Sequence, residues 1–116
     1  MSEIPLDLVN RIREAFTAYR YTLRFHGHER MEERNIAPLE IRDVILNGEA
    51  IEYDAPGSRG VDAGILFFAR VSQNRPLHVK VIEVQNVRTK VWHFVVTVYE
   101  PDTTLWNAEL KVRRFK

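Results

Sequence analysis

Leu8, Val9, Ile12, Ala15, Phe16 and Tyr19 recur at three- and four-residue spacing, with Arg11, Arg13 and Glu14 on the other side. This period predicts an amphipathic helix over residues 5–19, opened by Pro5, which a first helical turn tolerates. Tyr21, Leu23 and Phe25 then alternate with Thr22 and Arg24, the pattern of a short half-buried strand. Residues 26–35 read as a helix of about two to three turns that ends near Asn35. Pro38 opens another helix through Leu39, Ile41, Val44 and Ile45, stopped at Asn47-Gly48. Ala50 to Tyr53 is a strand candidate. Pro56 to Gly64 carries three glycines and a proline, the composition of a mobile surface loop.

From Ile65 the period changes. Residues 65–72, 77–84 and 91–99 are rich in Val, Ile, Phe and Tyr and predict three strands. The gaps 73–76 and 85–90 are short enough for hairpins, so the three should form an antiparallel meander. A symmetric second hairpin sets His78 across from Thr97 and Lys80 across from Val95. Leu77, Val79, Val81, Phe94, Val96 and Val98 then share an apolar face for the helices, with Trp92 and Phe94 counted in the core. His78, Lys80, His93, Thr97 and Tyr99, mixed with Ile82 and Val95, take the face where chemistry or a partner could act. A one-residue slip in the turn exchanges the faces.

The expected architecture is therefore α+β: N-terminal helices on one face of a mostly antiparallel four- or five-stranded sheet. The 116 residues fit one domain, 1–116, with no repeat or linker. Hydrophobic residues at 45% and charged residues at 28% exclude a disordered composition. No cysteine is present, which excludes disulfides and thiolate metal sites and suggests a reducing, cytoplasmic setting. Met1 to Leu8 carries two acids and no apolar run, unlike a signal peptide. No apolar stretch approaches the ~18 residues of a membrane span. The formal charge is only +1, so attraction to nucleic acid must be local, as in the tail of Lys111, Arg113, Arg114 and Lys116.

His26, Arg30 and Arg34 fall at i, i+4 and i+8 on one helical face. An imidazole with two guanidinium groups suits a phosphodiester, since the arginine fork holds phosphate oxygens and the imidazole moves a proton near neutral pH. The alternative is a solvated face with these arginines paired to Glu29, Glu32 or Glu33. Arg75 and His78 add a phosphate clamp and a second imidazole, or a turn residue and a cross-strand contact. Tyr99 either positions a phosphate or is a buried strand tyrosine with a satisfied hydroxyl. Trp106 either anchors a partner or caps the sheet. His26 and His28 lack a completing carboxylate pattern, so no metal is expected. Nucleotide-binding loops, nucleophile elbows and paired-histidine zinc motifs are absent from the sequence.

The run His26-Gly-His-Glu-Arg30-Met31-Glu-Glu-Arg34-Asn-Ile36 resembles the His-Ala-x-x-Arg-Met-x-x-Arg-Gly-Ile signature of the domain of unknown function 4258 family. Arg75 to Val79 and Thr97 to Pro101 are similar to its later Arg-Pro-Leu-His-Val and Thr-x-Tyr-x-Pro blocks. The likeness covers about residues 21–103, leaving the helix 5–19 and the basic tail 104–116 as additions. Gly27 and Asn35 depart from the signature, and Asn35 still tolerates the left-handed helix end.

The resemblance implies a RelE- or barnase-like fold and kinship with ribonuclease toxins of toxin–antitoxin pairs, with an antitoxin of zinc-finger type as partner. On that footing the chain is a cofactor-free, metal-independent endoribonuclease. Its catalytic set is His26, Arg30, Arg34, Arg75, His78 and Tyr99, and Lys80, Thr97, Arg113 and Arg114 bind RNA. The alternative is a non-catalytic protein-binding module of the same fold.

Overall fold

The computed structural model describes residues 3–24, 35–57, 62–85 and 90–114. Helix α1 (Leu6–Thr17) buries Leu8, Val9, Ile12, Ala15 and Phe16, the stripe its periodicity predicts. It stops short of Tyr19, which takes a left-handed φ of 57°. The N–H groups of Tyr19 and Arg20 donate to Phe16 O at 3.2 Å and Ala15 O at 2.7 Å. This is a Schellman end with tyrosine where glycine is usual.

Helix α2 (Pro38–Asn47) begins with proline in its first turn and buries Ile41, Val44 and Ile45. The Glu40 carboxylate accepts the Ala37 N–H at 2.9 Å and so satisfies one orphan donor of the helix start. Gly48 ends it for a steric reason: a Cβ there would lie 2.3 Å from Val44 O and 2.5 Å from Phe68 O.

Neither helix has a basic residue in its own last turn. Each takes an arginine from the other. Arg13 donates to Ile45 O at 2.9 Å and Gly48 O at 2.6 Å. Arg42 donates to Phe16 O at 3.0 Å and Thr17 O at 3.2 Å. The pair satisfies orphan carbonyls, sets positive charge at each negative helix end, and ties the helices together.

The strands β1 (Thr22–Leu23), β2 (Glu49–Asp54), β3 (Ala63–Val71), β4 (Arg75–Gln85) and β5 (Val91–Tyr99) form one sheet in the order β1-β5-β4-β3-β2. Only the β1–β5 pairing is parallel. The class is the expected one: helices on a mostly antiparallel five-stranded sheet. Ala63 and Gly64, expected in the loop, instead open β3, and residues 58–61 lie outside the described residues. Gln73 and Asn74, both left-handed at φ 60° and 61°, turn β3 into β4, as a tight hairpin with right-handed strand twist requires.

The β4–β5 register corrects the symmetric hairpin. His78 pairs with Tyr99 and Lys80 with Thr97, then the register shifts, so that Val81 pairs with Val95, Ile82 with Phe94 and Glu83 with His93. Val96 is the extra residue of a β-bulge, which re-aims everything before it on β5. His93 and Val95 therefore turn to the helix side and are buried, while Trp92 and Phe94 turn away. Trp92, expected in the core, is 45% exposed.

Two apolar layers result. The main core lies between helices and sheet, around Ile12, Phe16, Ile41, Val44, Ile65, Phe67, Val79, Val81, Val95 and Val98. A smaller one, of Leu66, Phe68, Trp106 and Leu110, covers the opposite face.

Candidate functional site

Three of the expected site residues, His26, Arg30 and Arg34, lie outside the described residues. Arg75 begins β4 and is held by carboxylates: Nη2 meets Glu40 Oε1 at 2.8 Å and Nε lies 3.6 Å from Glu100. Its Nη1 donates to Asn35 O at 3.2 Å. Three positions on, His78 projects from the opposite face of the sheet and is fully buried.

The C-terminal segment, residues 102–114, folds back over that face, which the alternation of the strands predicts to be open to solvent, and closes it. His78 Nε2 lies 2.6 Å from Leu110 O, and Nδ1 lies 3.1 Å from Tyr99 Oη. The carbonyl can only accept, so Nε2 carries the proton and the Tyr99 hydroxyl donates to Nδ1. Trp106 and Phe68 meet the ring edge-on, with centroids at 4.4 and 5.5 Å. Burial, opposed by the Leu110 bond, lowers the His78 pKa to about 4. Burial raises the Tyr99 phenol.

Of the remaining expected RNA contacts on this side, the three cations are also engaged. Lys80 pairs with Asp54, and Thr97 lies across from Lys80. Arg113 grips Glu52 with two bonds, 2.8 and 3.1 Å, and its guanidinium lies 4.7 Å from the Trp106 ring centre. Arg114 donates to Thr103 O at 2.7 Å and Trp106 O at 2.8 Å. The tail as far as Arg114 is thus folded onto the sheet, with Trp106 as a cap.

A different set of chemical groups converges on the helix side. Glu83 and His93 face each other across β4 and β5 because of the bulge. His93 Nε2 lies 3.0 Å from Glu83 Oε2. Arg11 of α1 reaches the same carboxylate with two bonds of 3.0 Å. Burial opposes ionisation of Glu83, but Arg11 and His93 outweigh it and hold the carboxyl below its ordinary range. An ionised Glu83 accepts only, so Nε2 of His93 is the donor and Nδ1 is the basic nitrogen of the neutral ring. Nδ1 has no hydrogen-bond partner among the described residues, where no buried side-chain nitrogen or oxygen lacks one. Nδ1 therefore meets solvent.

His93 lines a cleft of about 690 Å³ between α1 and the start of β5, together with Arg11, Arg20, Tyr21, Lys90 and Trp92. Strand β1 pairs only with Phe94 and Val95, so Val91 to His93 run past it as an open sheet edge. Glu14 also lines the cleft, and Arg11 is neutralised by Glu83, which leaves Arg20 and Lys90 as its unpaired cations among the described residues. An oriented imidazole on the floor of such a cleft is equipped to exchange a proton with a bound phosphodiester. Arg11 and Glu83 carry no signal of this role in the sequence, because their partnership with His93 exists only through the bulge. Among the described residues, no three histidine, acidic or cysteine side chains gather as a metal-binding group. Nor is any helix among them long and apolar enough to cross a membrane.

The family model for a domain of unknown function, DUF4258, matches residues 23–100, from β1 to just past β5. The chain belongs to the DUF4258 family. Comparison with curated proteins and with solved structures gives no match. Glu83 and His93 fall inside the DUF4258 stretch. Arg11, which fixes Glu83, and Trp106 and Leu110, which cover His78, lie outside it.

Proposed function

We propose that this DUF4258 domain is a metal-independent endoribonuclease of the toxin kind, with His93 as its acid–base group. The observation that carries the reading is the Arg11–Glu83–His93 array on the cleft floor. In this reading an RNA strand lies along the open edge, its phosphate drawn by Lys90 and Arg20. His93 Nδ1 takes the proton of the ribose 2′-hydroxyl, whose oxygen bonds to the adjacent phosphorus. The bond from phosphorus to the 5′-oxygen breaks, and that oxygen takes a proton from water at the cleft mouth. The products are a 2′,3′-cyclic phosphate and a 5′-hydroxyl. Glu83 keeps the imidazole in the right tautomer and favours the imidazolium as it forms.

The test is incubation of the purified protein with RNA in excess chelator, followed by end-group analysis. Cyclic phosphate termini are expected, with growth arrest on expression. Intact RNA from folded protein contradicts the reading. A second reading, a non-catalytic protein-binding module, is favoured by the exposed Val91 and Trp92, at 46% and 45%. It predicts that Trp92→Ala weakens a protein complex while RNA stays uncut.

A further inference from the structure

Among the described residues Trp92 is the largest apolar side chain exposed on the sheet, and from the face opposite His93 it reaches the rim of the same cleft. Covering an exposed indole is favourable, so its exposure asks what covers it. The bulge puts it there, turning His93 in and Trp92 out at consecutive positions. Lys90 Nζ lies 5.9 Å from its ring centre. Lys90 and Arg20 are exposed, and neither makes an ion pair among the described residues. Tyr21, by contrast, is committed to the core, stacked on Phe16 at 4.0 Å and 6°.

We propose that Trp92, with Lys90 and Arg20 beside it, is a stacking subsite for an unpaired base of single-stranded RNA. The proposal rests on the nuclease reading for its ligand and names the substrate class of that cleft. A flat indole stacks on any base, and the flanking cations take the phosphates on either side. The positive charge is local, since the whole chain carries only +1. A duplex keeps its base faces stacked within the helix and offers none to the indole, whereas a single strand does. The cleft volume of about 690 Å³ is that of a small-ligand site, enough for a nucleotide or two.

The two tryptophans make the test direct, because Trp92 is 45% exposed and Trp106 only 2%. A short 2′-O-methyl oligonucleotide, which cannot be cleaved by the 2′-hydroxyl route, is titrated against the full chain. Emission from the exposed tryptophan should be quenched by the single strand and not by the same sequence as a duplex. In Trp92→Phe the quenching should vanish while Trp106 still reports the fold. Trp92→Ala should weaken binding of a labelled strand on the order of tenfold or more, read by anisotropy. Binding that leaves Trp92 emission and the Trp92→Ala affinity unchanged overturns the subsite and spares the nuclease reading. Equal binding of the duplex also overturns it, as does shielding of Trp92 only in a protein complex. Quenching by the strand with no cleavage of ordinary RNA keeps the subsite and removes the nuclease.

Discussion

His78 is an imidazole held in its neutral form by its surroundings. The Leu110 carbonyl and the Tyr99 hydroxyl fill both nitrogens, and burial lowers the pKa to about 4. In the unfolded chain the ring takes its proton near pH 6.5, so at mildly acidic pH the unfolded state binds more protons. Stability is then fully present above that pH and falls as the pH drops toward 4. The expected loss from this residue is about 2 kcal/mol between pH 7.5 and pH 5, by the linkage relation. His78→Gln keeps a hydrogen-bonding side chain and removes the titration. Urea denaturation of both proteins at the two pH values checks this, and an equal acid loss in the variant contradicts it. Gly48 is the second decisive single position. With Val44 O and Phe68 O 2.3 and 2.5 Å from a notional Cβ, Gly48→Ala forces backbone to move. A loss of roughly 1–3 kcal/mol is expected in the same assay.

Among the elements, the two helices are coupled by exchanged arginines rather than by caps of their own. Arg13→Ala and Arg42→Ala each remove two bonds to helix-end carbonyls. Each should cost on the order of 1–2 kcal/mol, and the double variant should lose less than their sum if the capping acts as one device. A double-mutant cycle by thermal unfolding measures it. Helix α2 was legible because Pro38 and Gly48 mark its ends by sterics. The end of α1 was not, because Tyr19 holds the left-handed position without the glycine that signals it. The meander was legible from β-branched runs, but the bulge was hidden. Val95, Val96 and Val98 look alike, and no glycine or proline marks the extra residue. That bulge decides whether His93 faces the helices, so the Glu83–His93 pair could not be read from the chain.

Across the whole molecule, the sheet divides two roles. On one side the tail seals His78 under Trp106 and Leu110, with Arg113–Glu52 and Lys111–Glu49 as outer ties. Trp106→Ala should cost about 3–5 kcal/mol, because it removes a buried aromatic cap that the short segment cannot replace by collapse. Denaturant unfolding checks that figure. On the other side the α1–β5 cleft stays open around His93. The β4–β5 hairpin brings Glu83 to His93 there, and tertiary packing of α1 adds Arg11 from far away in sequence.

The rate of RNA cleavage in chelator by His93→Ala, set against the wild-type protein at equal folded concentration, is the decisive measurement for the role of His93. A fall of about a hundredfold or more, with the circular dichroism spectrum unchanged, is the result expected for loss of a positioned proton-transfer group. Cleavage at the wild-type rate by the folded variant would contradict it.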